Sequence, residues 1–315
     1  MVKSKQKNRK RTIAIICVAV LIGFIWLTRY SSAPCVAQPQ DTVSEFHKSI
    51  TSLQLPTEAT LFGAKIPLDK WEVRERFERE FYYNYNNCDQ LVMWWKRLGR
   101  WEVMIDSMLD ADSLPRDFKF LMIAESGIRN VQSPAHANGY WQFLTPTAQR
   151  FGLRVDQYID ERLDPILSTQ AAIRFISSLK RRFNADYLLC AAAYNMGEEG
   201  LSDAMDFQKQ KSYWNLMLSE ETMRYPIRIA VIKELLEHNA RYGLQLEKLA
   251  PYKMHGIKHV SAQGPIPNIA EWAIGQGYSY KDFKFFNPRF IAHEIPRGLY
   301  DIRLPEIDAD RTTVY

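Results

Sequence analysis

Cysteine is scarce in this 315-residue chain. Cys17, Cys35, Cys88 and Cys190 are its whole complement, with no CxxC pair and no Cys/His spacing suited to zinc. The sequence therefore offers no framework for a disulfide-stapled scaffold or a structural metal site, and no cofactor or metal is expected. Cys190, inside LLCAAAY, reads as a small buried hydrophobe. Glycine and proline number 14 and 15, too few for a collagenous or low-complexity chain. Acidic residues are absent from the first thirty positions, which hold seven of the lysines and arginines, so the net charge of +5 becomes −2 for everything after Tyr30. A nucleic-acid-binding protein needs basic charge on its folded body to neutralise phosphates, and none is concentrated there. Internal repeats are missing too, and so is any alternating strand pattern between Asp69 and Gly243.

What the leader does contain is a basic start followed by TIAIICVAVLIGFIWLT, residues 12–28, seventeen positions without a charge. As a helix this run is about 26 Å long, slightly short of a hydrocarbon core of about 30 Å. It reads as an uncleaved membrane anchor, with Trp26 and Tyr30 at the interface. A cleaved signal peptide shares the same basic and apolar regions, and small residues follow at Ser31, Ser32, Ala33 and Ala37. A lipoprotein acylated at Cys35 is a weaker third reading. In each version the lysines and arginines stay cytoplasmic and the body is exported.

Residues 31–60 are polar and without period, as a linker would be. From Asp69 onwards EVRERFEREF and QLVMWWKRLGRWEVMIDSML place apolar residues at spacings of three and four, which predicts helices. Leu114-Pro115 opens another, with Ser113 as candidate cap and Gly127 as candidate stop. Further helices are predicted over 164–183, 185–194 and 220–242. The tail differs: strands at 255–260 and 299–304 enclose short helices at 266–275 and 280–286, a compact β-α-α-β unit. The resulting division is 1–30 leader, 31–60 linker, 61–250 large all-α domain, and 251–315 small α+β domain.

Candidate chemistry begins at FKFLMIAES. Phe118, Leu121 and Met122 define one helical face, and Glu125 is the next position on it. A carboxyl there is either a solvated helix end or a group held in a poorly hydrated cleft. Desolvation and the negative end of the helix dipole both raise its pKa, which suits a general acid near neutral pH. After Gly127 comes a loop in which Trp141, Gln142 and Phe143 set an amide between two aromatics; the rings either stack on a sugar face or belong to the core. AAAYNMG then offers Tyr194 and Asn195, either as site residues or as a helix end with Asn195 capping and Gly197 beyond.

Glu125-Ser126, GYWQF at 139–143 and AYNMG at 193–197, in this order and at these intervals, resemble the lytic transglycosylases of the goose-type lysozyme superfamily. The resemblance extends upstream to Ile66-Pro67-Leu68, VRERF at 73–77 and Leu114-Pro115, and downstream to YWNLMLSEETMRY at 213–225. It implies an all-α lysozyme-like catalytic domain, with Glu125 as catalytic acid/base and Ser126, Gln142, Tyr194, Asn195 and Tyr225 lining the substrate cleft. Three departures stand out. His136 occupies a position usually filled by Gly, Tyr140 one that varies, and Pro226 follows Tyr225 directly where related sequences place a residue between.

The activity implied is peptidoglycan cleavage at the MurNAc-GlcNAc β-1,4 bond with closure of a 1,6-anhydro ring, by a periplasmic body that meets glycan strands and the membrane. Glycosidases generally need a second carboxylate; the family's substrate acetamide is taken to replace it. Asp160, Glu161, Asp164, Glu198 and Glu199 accordingly read as exposed helix-end or loop charges. A water-using muramidase and a noncatalytic glycan-binding protein are the competing readings. The C-terminal unit faintly resembles a degenerate LysM module, with Trp272, Tyr278 and Tyr280 as candidate glycan contacts or as packing against the large domain.

Overall fold

The computed structural model describes residues 53–306; the basic leader, its apolar run, Cys17 and Cys35 lie outside them. A two-residue β ribbon, β1 (Thr60–Leu61) and β2 (Ala64–Lys65), precedes the helices α1 (Trp71–Asn86), α2 (Cys88–Ala111), α3 (Lys119–Ser126), α4 (Thr145–Arg150), α5 (Pro165–Arg182), α6 (Tyr187–Met196), α7 (Glu198–Gln208) and α8 (Glu220–Glu237). The tail carries β3 (Ile257–Ile266), α9 (Ile269–Gly275), α10 (Tyr280–Phe286) and β4 (Ile295–Pro305). The mostly helical body with a small two-stranded appendage agrees with the pattern read from the sequence. Among the described residues no helix is long and apolar enough to cross a membrane.

Helix α8 buries most of its residues, Tyr225, Ile227, Ile229, Val231, Ile232 and Leu235 among them, and lies at the centre of the body. It packs on α1, α6 and α3. Helix α6 brings Ala191, Ala192 and Ala193 to this contact, all fully buried, and their small side chains permit the close approach. Pro226 lies inside α8 and cannot donate to the Thr222 carbonyl one turn back. The Tyr213 hydroxyl, reaching the Thr222 and Met223 carbonyls at 3.1 and 2.8 Å, supplies a donor there. The helix thus stays continuous and Tyr225 keeps its inward aim.

Boundaries depart from the sequence expectations for local reasons. Ser113 has a positive φ of 51° and caps nothing; a 3₁₀ turn at Arg116–Phe118 leads into α3 instead. Asn184 and Ala185 both adopt positive φ, which delays α6 until Tyr187, where Asp186 caps it through the Leu188 and Leu189 amides. Asn195 is within α6, which runs on to Met196, so it is not the cap. Helices α4 and α7 had no periodic signal: α7 buries Leu201 and little else. Cys88 and Cys190 are free and buried, and burial pushes the Cys190 thiol up to about 12.

Strands β3 and β4 pair antiparallel from Ile257↔Pro305 to Ile266↔Ile295 and cover α9 and α10, enclosing a second core around Ile269, Phe283, Phe290 and Ile302. Trp272 meets Phe283 edge-on at 6.0 Å, and it, Tyr278 and Tyr280 pack on this small core. The large domain contributes Ile159, which is buried in the same cluster. Backbone bonds from Asp160 to Arg289 (2.8 Å) and from Ile291 to Tyr158 (2.9 Å) continue the junction.

Candidate active site

Glu125 stands in the last turn of α3, which ends because Gly127 takes the left-handed conformation at φ 60° and donates to the Ile123 carbonyl. A Cβ on Gly127 would approach the Trp94 indole nitrogen to 2.8 Å, so glycine is required by space as well as by conformation. The Tyr225 hydroxyl donates to Glu125 Oε1 from the facing helix α8. Burial raises the Glu125 pKa to about 7, against the opposing pull of the Tyr225 hydrogen bond and the Arg228 charge. Burial also holds the Tyr194 and Tyr225 hydroxyls well above the usual phenol range, so both remain donors. A carboxyl that is half protonated at neutral pH can deliver a proton and then take one back.

The cleft divides into two lobes that meet at Ala124, Glu125 and Arg228. One, of about 760 Å³, is lined by Gln142, Phe143, Tyr194, Asn195 and Tyr225. The other, of about 730 Å³, is lined by Trp94, Arg97, Arg129 and Glu80 among others. Four of the five cleft residues expected from the sequence thus line the first lobe with Glu125, and the fifth, Ser126, lines the second. Tyr194 donates to the Trp141 carbonyl at 2.8 Å, tying α6 to the loop, and the Asn195 Oδ1 accepts from Thr222 Oγ1 at 2.9 Å, leaving the amide Nδ2 without a partner among the described residues. The Gln142 Nε2 donates to the Val131 and Gly139 carbonyls, and its Oε1 has no partner among the described residues. Ser126 is buried; its hydroxyl donates to the Tyr140 carbonyl at 2.7 Å, so its place is under the loop, holding it against α3.

The loop itself is held from beneath. Gly139 has φ 79°, and a Cβ there would fall 1.9 Å from the Arg162 carbonyl oxygen. Arg162 in turn donates to the His136 and Phe143 carbonyls at 3.2 and 3.1 Å and pairs with Asp160 at 2.7 Å. His136, standing where a glycine was expected, indeed adopts positive φ (63°). Trp141 is fully buried with its indole donating to Thr169 Oγ1, and Phe143 is 3% exposed. Both rings are core, which settles the choice between stacking and packing.

Of the five carboxylates read as exposed charges, only Glu199 is exposed; Glu161 and Glu198 are half-buried, and Asp160 and Asp164 are buried. Asp160 is locked to Arg162, and Asp164 is wholly buried, capping α5 through the Ile166 and Leu167 amides while pairing with Arg303. Neither they nor Glu161 line either lobe. Glu198 and Glu199 do line one, but they pair with Arg150 at 2.9 Å and Arg182 at 2.6 Å.

Sequence reasoning missed Glu80. It is 3% exposed on α1 and accepts from Arg224 at 2.6 Å and Arg228 at 3.1 Å, and Glu221 accepts from both arginines on their other side. Its signal was the one that found Glu125: Val73, Phe77 and Phe81 make an apolar stripe, with a carboxylate set into it. This network fixes Arg228, whose charge reaches Glu125.

A pH dependence follows from the direction of the shift. The acid form of Glu125 is present below about pH 7 and lost above it, so kcat/KM of any reaction that takes its proton should fall on the alkaline side of about 7, roughly tenfold per pH unit. Tyr225→Phe removes a hydrogen bond that favours the carboxylate, and its pH–rate profile should show the descending limb moved upward. A limb that stayed put would mean that Tyr225 does not tune Glu125.

This arrangement sets a protonatable carboxyl at a helix end between two lobes of a mostly helical body, where it can deliver a proton to a group held in either lobe. Residues 103–217 match the family described as Transglycosylase SLT domain. Tyr225 falls beyond the matched stretch. The "Membrane-bound lytic murein transglycosylase D" of Escherichia coli K12 is 30% identical over 180 residues, which cover 56% of this chain and 39% of that protein. The chain thus spans well under half the length of that relative. The "Peptidoglycan transglycosylase gp16" of Escherichia phage T7 is 42% identical over 66 residues, covering 21% of this chain and 5% of that one. Among solved structures, the lytic transglycosylase Slt of Pseudomonas aeruginosa, in an inactive-mutant form, is 17% identical over 47% of this chain and 24% of its own, with a TM-score of 0.36.

Proposed function

We infer that this protein is a peptidoglycan lytic transglycosylase cleaving the β-1,4 bond between MurNAc and GlcNAc. The observation that carries the reading is the Glu125 carboxyl, raised to about 7 by burial and presented between two lobes that meet at it. Glu125 donates its proton to the bridging oxygen as the C1–O bond of MurNAc breaks, and the GlcNAc 4-hydroxyl leaves. The substrate's own acetamide steadies the electron-poor C1, with the Asn195 Nδ2 and Gln142 Oε1 available to orient it. The Glu125 carboxylate then takes the proton of the MurNAc 6-hydroxyl while O6 bonds to C1. The acid is regenerated and no water is consumed. Tyr225 and Tyr194 hold Glu125 and the loop in position.

The body acts in the periplasm with the 12–28 segment as its membrane attachment. Mass spectrometry of products released from purified sacculi tests the activity. Muropeptides ending in 1,6-anhydro-MurNAc are expected; products heavier by one water would make the protein a muramidase, and release of nothing would leave it noncatalytic.

A further inference from the structure

The lobe on the Glu80 side of Glu125 holds an arrangement that the cleavage chemistry does not use. Arg97 on α2 and Arg129 just past α3 both line it. Arg97 donates one guanidinium nitrogen to the Gly127 carbonyl at 3.0 Å, and Arg129 donates its Nε to the Ser126 carbonyl at 3.2 Å. These are the two residues that follow Glu125 in the chain. The remaining donors of both guanidinium groups meet no partner among the described residues, and neither arginine meets a carboxylate. The contrast lies in the same lobe, where Arg224 and Arg228 each pair with both Glu80 and Glu221. Burial and, after it, the Arg129 charge lower the Arg97 pKa, against the opposing effect of Tyr252 and Tyr140.

Two guanidinium groups that line one lobe, are anchored on successive carbonyls and keep donors unspent offer what a carboxylate accepts in bidentate fashion. A bland reading exists: cations at a helix C-terminus satisfy its carbonyls and its dipole. That reading uses one donor on each arginine and leaves the others without a partner among the described residues.

We propose that Arg97 and Arg129 form an anion subsite that reads a carboxylate carried by the muramyl unit of the glycan strand. The proposal rests on the glycan-cleaving reading for its ligand. Two sources offer the same chemistry: the carboxylates of a stem peptide, and the lactyl carboxylate exposed when that peptide is removed.

Binding is measured so that it does not depend on turnover. In the Glu125→Gln background, affinity is compared for three purified strands: peptide-bearing, amidase-stripped, and stripped with the lactyl carboxylates converted to methylamides. The neutral strand should bind about tenfold more weakly than one of the others, and which of the two binds best names the source. Adding Arg97→Gln and Arg129→Gln together should narrow that ratio to within about twofold. Arg129→Gln alone, at an exposed position, should narrow it in part and guards against a misfolded double variant. Equal binding of all three strands, or a preference that survives the double substitution, overturns the subsite. Cleavage of the same strands by the unsubstituted protein reports separately: no cleavage together with carboxylate-dependent binding would remove the transglycosylase reading and leave the subsite standing.

Discussion

Glu125→Gln should abolish the release of muropeptides from sacculi, with a loss of about 10²- to 10⁴-fold or more. The amide keeps the shape of the side chain and can still accept from Tyr225, but it has no proton to give. The variant should also be no less stable than the parent, and the sign is fixed by the pKa. Because folding raises the Glu125 pKa from 4.5 to about 7, the folded state holds the proton more tightly than the unfolded chain. Its contribution to stability is then whole below about pH 4.5 and lost as pH rises through 7. Glutamine has no charge to bury, so the variant's advantage should be greatest at pH 8 and vanish in acid. Urea denaturation at several pH values alongside the sacculus assay separates the two effects. Wild-type release by a folded variant would take the proton-donor role away from Glu125.

Asp164→Ala is expected to be the most damaging substitution for stability. The residue caps α5 through two backbone amides at 3.0 and 3.1 Å and pairs with Arg303, both partners being nearly inaccessible to water. Removing the carboxylate strands a buried guanidinium, a defect worth about 3–5 kcal/mol, and loss of the cap adds about 1 kcal/mol. Asp164→Ser with Arg303→Met keeps a cap and removes both charges, and should recover most of the loss, since a buried pair exchanged for apolar groups is often neutral. An urea midpoint unchanged in Asp164→Ala would show the pair to be energetically idle.

These two carboxyls show what a sequence carries and what it hides. Glu125 was legible because its neighbours Phe118, Leu121 and Met122 are local, and periodicity reports which face a helix buries. The two strands and two short helices of the tail were legible for the same reason. Asp164 was not, because its partner lies 139 residues away, and no local pattern distinguishes a cap that also meets a distant arginine from one in solvent. Trp141 and Phe143 illustrate a second limit. An amide flanked by aromatics suggests a sugar platform, but the positive φ of Gln142 (50°) turns the loop so that the rings enter the core and the amide stays in the cleft. Glu80 illustrates a third: its apolar stripe was visible, but its two arginine partners come from another helix.

The seam between the large body and the tail also has a meaning in the order of synthesis. The segment 154–164 seats Ile159 among tail residues and pairs Asp164 with Arg303, while its Arg162 props up the loop that presents Gln142. A chain growing from its N-terminus can complete α1 to α8 long before residues 289–303 exist. Until they emerge, Ile159 is exposed, Asp164 has no counter-ion, and the support beneath the Gln142 loop is unanchored. The cleft-bearing part is translated early, but its floor is finished later, by β4.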